Sequence, residues 1–383
     1  RRERLAVVAG AAGEEAERLG FYEWHYYVFF NIAFYTGARK GEIHALKWSD
    51  IEDNVLHIRR SIAQKLKGGD RETPPKNLSS IRDLQLPNAL IAVLDERAAD
   101  FDGVVKMGRT QLQDAVPIRL GQEFAAYASV MRREKDRLER GRKEMLQLNL
   151  GGTAVGTGIN ATLAYVGQVV PLLSEMTGIP FTQSRDLIDT TQNTDCYLAL
   201  SSALKGCAAS LSKICNDLRL MSSGPRDGLG EIVLPARQNG SSIMPGKVNP
   251  VIPEVMSQAA FCIMGNDVCI TMAAEAGQLE LNYAEPVLYH KLFESINALA
   301  GAVQTLVDNC VTGITANAER CQSLVDGSVG IITAICPQVG YQFAADIAKK
   351  AIKTGQSVRE LLHESGRFTD EEINKILDPH SMV

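Results

Sequence analysis

The chain lacks the residue clusters that build metal or disulfide frameworks. Its eight cysteines (Cys196, Cys207, Cys215, Cys262, Cys269, Cys310, Cys321 and Cys336) include no CxxC pair, and its six histidines are scattered. A zinc-type ligand set and a redox dithiol are therefore not expected, and no metal or organic cofactor is implied. Most of the cysteines sit among apolar residues in helical patterns, which reads as buried free thiols in a reducing cytoplasm. An excess of either charge is also missing. With 45 acidic and 40 basic residues the net charge is −5, so nothing electrostatic favours nucleic acid along the whole chain. Basic clusters such as Arg59-Arg60 and Lys65-Leu66-Lys67 fall near the front. Long apolar runs are absent: the best candidate, Val255 to Leu281, is interrupted by Gly265, Asn266, Asp267, Glu275 and Glu280. No membrane span is expected from it. No signal peptide is visible, and Arg1 stands where Met would, which reads as a fragment or a processed product of a cytoplasmic protein.

What is present divides near residues 88–100. The 383 residues suit two or three domains, and apolar content is sufficient for a sizeable core. Before the division short α and β patterns alternate, with β-branched character over Val55–Ile62, alternation over Ile81–Leu86 and a Gly-rich turn at Lys67–Asp70. Those features predict a hairpin. After the division nearly everything reads as long helices. Pro117 is placed to open the first, with Leu120, Phe124, Tyr127, Met131, Leu138 and Met145 as one apolar stripe. Further helices are predicted over 159–176, 194–221, 253–281 and 286–314. The 254–281 stretch is apolar on nearly all sides, so burial all round, by other subunits, is predicted. The last fifty or so residues read as a small separate helical unit, with N-cap chemistry at Ser357 and a capping box beginning at Thr369.

The sharpest feature is Gly240-Ser241-Ser242-Ile243-Met244-Pro245-Gly246-Lys247-Val248-Asn249-Pro250. Two glycines and two prolines make this a loop between helical regions. Tandem serines supply hydroxyls and adjacent backbone N–H groups that could hold an oxyanion. Lys247 supplies a cation for a carboxylate and Asn249 a directional amide. By itself such a stretch is as readily a Ser/Gly turn with a solvated lysine. Two further blocks accompany it: Lys106 to Pro117 (KMGRTQLQDAVP) and Gly151 to Gly158 (GGTAVGTG). The glycine run lacks the preceding strand and the lysine of a phosphate-binding loop.

Taken in order and spacing, these blocks, with Asn216-Asp217-Leu218-Arg219-Leu220 and Glu275 to Asn282, resemble the aspartase/fumarase superfamily of homotetrameric lyases. Asp114-Ala115-Val116-Pro117, Val251-Ile252-Pro253-Glu254 and Gln278-Leu279-Glu280-Leu281-Asn282 are more similar to the aspartase branch than to fumarases. The resemblance implies a mainly α fold: a long-helix bundle over 98–330 with a small C-terminal helical domain over 331–383. It also implies cofactor-free, reversible elimination of ammonia from L-aspartate to fumarate, with fumarate hydration as the alternative. By motif position Ser241 would be the base. Ser242, Lys247 and Asn249 would hold substrate, and Thr110 and Gln111 would bind it from another part of the assembly. Many relatives carry His where Gln111 stands, so that position does not titrate here. Glu254 matches the acidic partner of that histidine and is taken as a supporting residue.

The family's N-terminal domain has no counterpart seen before residue 100. Because each family site draws on three subunits, a homotetramer of this chain would then lack part of every pocket, and co-assembly with intact lyase subunits is a further expectation. Residues 1–97 instead resemble part of a tyrosine recombinase catalytic domain, a small α+β fragment. Thr36-Gly37-Ala38-Arg39-Lys40-Gly41-Glu42 is similar to the first catalytic-arginine block, and Thr73 to Arg82 to the hairpin carrying the catalytic lysine. Arg39 and Lys76 would clamp a phosphate. The later His-x-x-Arg block and the tyrosine nucleophile do not follow, so weak DNA binding in an otherwise inactive fusion is the most this resemblance implies. An artificial or accidental join of two reading frames is favoured, since both resemblances stop inside a functional domain.

Overall fold

The computed structural model describes residues 51–52, 55–56, 61–63, 71–73, 88–238, 244 and 246–378. Arg39, Lys76, Ser241, Ser242 and the predicted strand at 81–86 lie outside the described residues. In the front segment β1 (Ile51–Glu52) pairs antiparallel with β2 (Val55–Leu56), and β3 (Ser61–Ala63) with β4 (Arg71–Thr73). Ile62 stands opposite Glu72 in the second of these pairs.

Twelve helices are described: α1 (Asn88–Asp100), α2 (Leu120–Glu144), α3 (Leu163–Thr177), α4 (Asp189–Gln192), α5 (Asp195–Met221), α6 (Val251–Glu275), α7 (Glu285–Asn309), α8 (Ala318–Gly327), α9 (Ile331–Val339), α10 (Tyr341–Thr354), α11 (Val358–Glu364) and α12 (Asp370–Ile376). The described strands after residue 88 are β5 (Val105–Thr110), β6 (Gln113–Arg119), β7 (Gln147–Leu148), β8 (Thr182–Gln183), β9 (Ile232–Val233) and β10 (Thr315–Ala316). The fold is mainly α, in keeping with a long-helix bundle. One compact unit includes Glu134–Ala209 and Ala259–Ala302; the other includes Pro87–Arg133, Ser210–Gln258 and Val303–Val383.

In the first of these units, α3 is bounded by local chemistry. The Thr162 hydroxyl accepts from the Tyr165 N–H, and Gly178 ends the helix at φ 69°. Its Val170 and Leu173 meet Leu148 and Phe181 in a small apolar cluster. Buried polar groups join the long helices. Ser201 Oγ and Lys205 Nζ donate to the two oxygens of Asp267, at 2.7 and 2.6 Å, and Asn266 Nδ2 donates to Ser295 Oγ at 3.2 Å. Asn282 caps the end of α6, its amide donating to the Ala273 carbonyl at 2.9 Å. The asparagine that ends the Gln278–Asn282 block therefore has a local structural task.

In the second unit the front of the predicted α2 stripe forms, with Leu120, Phe124, Tyr127 and Met131 buried; further on Leu138 is half-buried and Met145 lies past the end of the helix. Phe124 stacks edge-on with both Phe101 and Tyr127. Pro117, however, lies in β6 and α2 begins at Leu120. A two-stranded hairpin has free edges, and Pro117 faces Met107 beside an irregularity in the ladder, where a missing N–H is tolerated. The C-terminal helices α9–α12 build their own core, and β5 contributes Val105 and Met107 to it. Both capping boxes close, Ser357 with Glu360 and Thr369 with Glu372.

One expectation about α6 needs correction. The helix is long and apolar enough, by length and composition, to cross a membrane. Within one chain it is covered on one side only, so its predicted cover by other subunits stays an expectation. Met256, Ala260, Ile263 and Ile270 are covered, whereas Phe261, Val268 and Met272 are 60–66% exposed on another face. The thiols follow the same division. All eight are free; Cys207, Cys215, Cys310 and Cys321 are buried, Cys262 on α6 is exposed, and burial pushes the Cys207 thiol up to about 12.

The polar pin on α6 yields a direct test. Lys205→Met leaves the buried Asp267 carboxylate with the Ser201 hydroxyl as its remaining side-chain donor. Urea unfolding is expected to register a loss of about 2 kcal/mol, and an unchanged midpoint would remove the pin from the stabilising contacts.

Candidate active site

The block Lys106–Pro117 folds as the β5–β6 hairpin. Strand alternation sends Val105 and Met107 into the C-terminal core and Lys106 to the opposite face, which is also closed. Lys106, only 3% exposed, places Nζ 2.9 Å from Glu123 Oε2 and 3.3 Å from Glu231 Oε2. Arg109 Nη1 donates to Glu231 Oε1 at 2.7 Å and to the Met107 carbonyl at 3.2 Å. Glu231 has no exposure at all. Two cations and two carboxylates thus balance in a closed site, the condition under which buried charge is tolerated. Beside them Tyr127 donates its hydroxyl to Asp217 at 3.0 Å. Burial first, and then the nearby Glu123 and Asp217 carboxylates, hold that phenol well above its ordinary pKa, so it remains a donor.

The ladder shifts register between Met107 and Arg109, at Gly108, where a Cβ would lie 2.7 Å from the Val116 carbonyl oxygen. At the tip, Thr110 pairs with Gln113, leaving Gln111 and Leu112 as a two-residue turn at φ 53° and 62°. Such mirror-image turns normally take Asn-Gly or a similar pair, because both central residues are left-handed. Here neither is glycine, and Leu112 is 67% exposed. Thr110 and Gln111, both predicted to bind substrate, are exposed at this tip. On the return strand, Asp114 accepts from Ser328 Oγ at 2.6 Å.

The same compact unit carries the described part of the signature loop. Gly246 takes φ 84°, and the Lys247 N–H donates to the Met244 carbonyl at 3.2 Å. Lys247 is exposed and Asn249 half-buried, directly ahead of α6. Glu254, in the first turn of α6, lies 3.8 Å from Arg219 of the Asn216–Leu220 block. With Gln111 in place of a histidine, Arg219 is the ionic partner the structure gives it. Among the described residues no group of three His, Cys, Asp or Glu could hold a metal ion. The described part of the site thus offers a cation, amides and hydroxyls, a set suited to binding carboxylates; none of them is a ready proton acceptor.

A family profile described as Lyase matches residues 80–265, and one described as Fumarase C C-terminus matches 331–383. An aspartate ammonia-lyase from a Bacillus species is 55% identical over 288 residues, covering 75% of this chain and 62% of that protein. The chain belongs to the aspartase/fumarase superfamily. The solved structure of a fumarate lyase:delta crystallin from Brucella melitensis, bound to cobalt, superposes with a TM-score of 0.74 at 47% identity, over 77% of this chain and 64% of that one. The aspartate ammonia-lyase of Corynebacterium glutamicum is 45% identical over 356 residues, 91% of this chain and 65% of that protein. That share exceeds what residues 98–383 make up, so likeness to the superfamily reaches into the first hundred residues. The chain spans a little under two thirds of the length of these relatives. Sequence reasoning quoted Lys106 and Arg109 only as part of a motif and passed over Glu231. The available signal was a lone acid before the apolar Ile232-Val233-Leu234.

The strained tip makes a specific forecast. Leu112→Gly relieves a left-handed leucine, worth about 1–2 kcal/mol, at an entropic cost of about 0.5–1 kcal/mol. Thermal denaturation should find the variant slightly more stable than the parent; a lower midpoint would mean that Leu112 makes a contact worth more than the strain.

Proposed function

We propose that this chain carries the signature-loop part of an aspartate ammonia-lyase site, for the reversible elimination of ammonia from L-aspartate to fumarate. The observation that carries this reading is the unbroken Gly240–Pro250 loop, whose Lys247 and Asn249 lead straight into α6. Ser241 is the base that removes the proton from the carbon beside the β-carboxylate. The electrons move into that carboxylate, and ammonia then leaves the neighbouring carbon. The doubly charged carboxylate is the difficult species, so fixed donors and a cation should dominate catalysis. Lys247, Asn249 and Ser242 hold it, Thr110 and Gln111 bind the substrate, and Glu254 supports the loop end through Arg219. A serine acts as base only when its alkoxide is stabilised, which the same loop amides and Lys247 would provide. The fumarase C C-terminal match keeps hydration of fumarate as the second reading, and supplying ammonium or water alone as co-substrate separates the two.

The partners follow from α6. Phe261, Val268 and Met272 are each 60% or more exposed, and covering such a side chain is worth roughly 2 kcal/mol. Other copies of this chain, or complete subunits of a related lyase, are the proposed cover.

Two measurements test the reading. Fumarate formation from L-aspartate, followed by ultraviolet absorbance, should fall at least about a hundredfold in Ser241→Ala. An equal rate in the variant would remove Ser241 as base. In a native assembly Cys262 should react slowly with a thiol reagent, and quickly once dilution has dissociated the copies. Fast reaction at every concentration would leave the α6 face uncovered.

A further inference from the structure

We infer that Glu231 is a positioning residue for the substrate-binding tip, acting through Arg109 and Lys106 rather than on substrate. The inference rests on the lyase reading of Thr110 and Gln111. Glu231 is fixed by its main chain before its side chain is considered. Its N–H donates to the Met221 carbonyl at 2.8 Å, and its carbonyl accepts from the Asn317 N–H at 2.9 Å. The Cys321 thiol lies 3.6 Å from that same carbonyl oxygen. The carboxylate therefore projects from a junction of the end of α5, the segment before α8, and α8 itself. From there it holds Arg109 at 2.7 Å, one residue ahead of Thr110.

The tip needs such a hold. Gln111 and Leu112 sit in left-handed geometry without glycine, and a ladder irregularity at Gly108 lies just behind them. Backbone of this kind persists when its surroundings over-determine it. The ends of the turn are tied separately: the outgoing strand by Arg109 to Glu231, the return strand by Asp114 to Ser328. Val105 and Met107 are held in the C-terminal core by contacts of their own, so the fold and the placement of the tip should prove separable. Lys106 shares its charge between Glu231 and Glu123 and sets the charge balance of the junction.

The test compares Glu231→Gln with the double variant Lys106→Gln/Glu231→Gln in the full chain. Three readouts are needed: fumarate affinity by calorimetry, the rate of chymotryptic cleavage after the exposed Leu112, and the thermal midpoint. Glu231→Gln keeps the shape but unbalances the charge. It should lower the midpoint, weaken fumarate binding about tenfold, the equivalent of about 1.4 kcal/mol, and speed cleavage after Leu112. The double variant restores the balance and should recover the midpoint. Its affinity and protection should stay low, because Arg109 still lacks its carboxylate. A purely structural role would move all three readouts together, so full recovery of affinity and protection with the midpoint overturns the proposal. Parent-like affinity and cleavage in Glu231→Gln overturn it as well. If the parent chain binds no fumarate, the lyase reading fails by itself. The cleavage rates then decide the positioning claim: faster in both variants upholds it, unchanged in both overturns it.

Discussion

Lys106 and Arg109 converge on one carboxylate, Glu231, that has no contact with solvent. Removing three charges from water is expensive, and the arrangement survives because Glu123 supplies the fourth and because backbone groups fix Glu231 in place. This neutral junction gives the β5–β6 hairpin a closed second face. Val105 and Met107 fill the other face with apolar contact to the C-terminal helices. A two-stranded ribbon is marginal alone. Here it is clamped between an ionic site and an apolar one, and that clamp lets its tip hold two left-handed residues that are not glycine.

A different economy governs the long helices. Apolar burial along α5, α6 and α7 is generous but leaves sliding along the helix axes poorly specified. Asp267, held by Ser201 and Lys205, and Asn266, held to Ser295, each have one satisfactory register, since a shifted helix would strand a buried polar group. The polar residues that interrupt the apolar run of α6 therefore serve its packing. They sit on a covered face that is otherwise apolar, beside Met256, Ala260, Ile263 and Ile270.

Legibility in the sequence tracked how local the cause was. The front of the α2 stripe and the Thr369 capping box could be read because their partners lie three or four residues away, whereas Ser357 was read only as an N-cap. Pro117 was misread because a helix-opening proline and a proline at a free strand edge look alike without the partner strand. Glu231 was invisible for a stronger reason: its partners are more than a hundred positions away, so no window contains the balance of charge that explains it. The outer face of α6 lay between these cases. Its apolar character was plain, but which side one chain covers depends on where α5 and α7 fall. At the site, the motif positions were all quotable, yet the non-glycine turn at Gln111-Leu112 and the pairing of Glu254 with Arg219 belong to geometry alone.

The exposure of Lys247 bears on what the loop can do. A lysine in bulk water stabilises a nearby carboxylate weakly, because solvent and salt screen it. The same charge in a water-excluded pocket is worth far more, and it is there that fixed donors lower a barrier. An intermediate with two negative charges on one carboxylate demands the second environment. The loop residues of this chain are therefore chemically suited but electrostatically incomplete until something covers them. Val255, in the first turns of α6, is itself 47% exposed. A partner that covered the loop itself would exclude water from it and so strengthen the charge of Lys247.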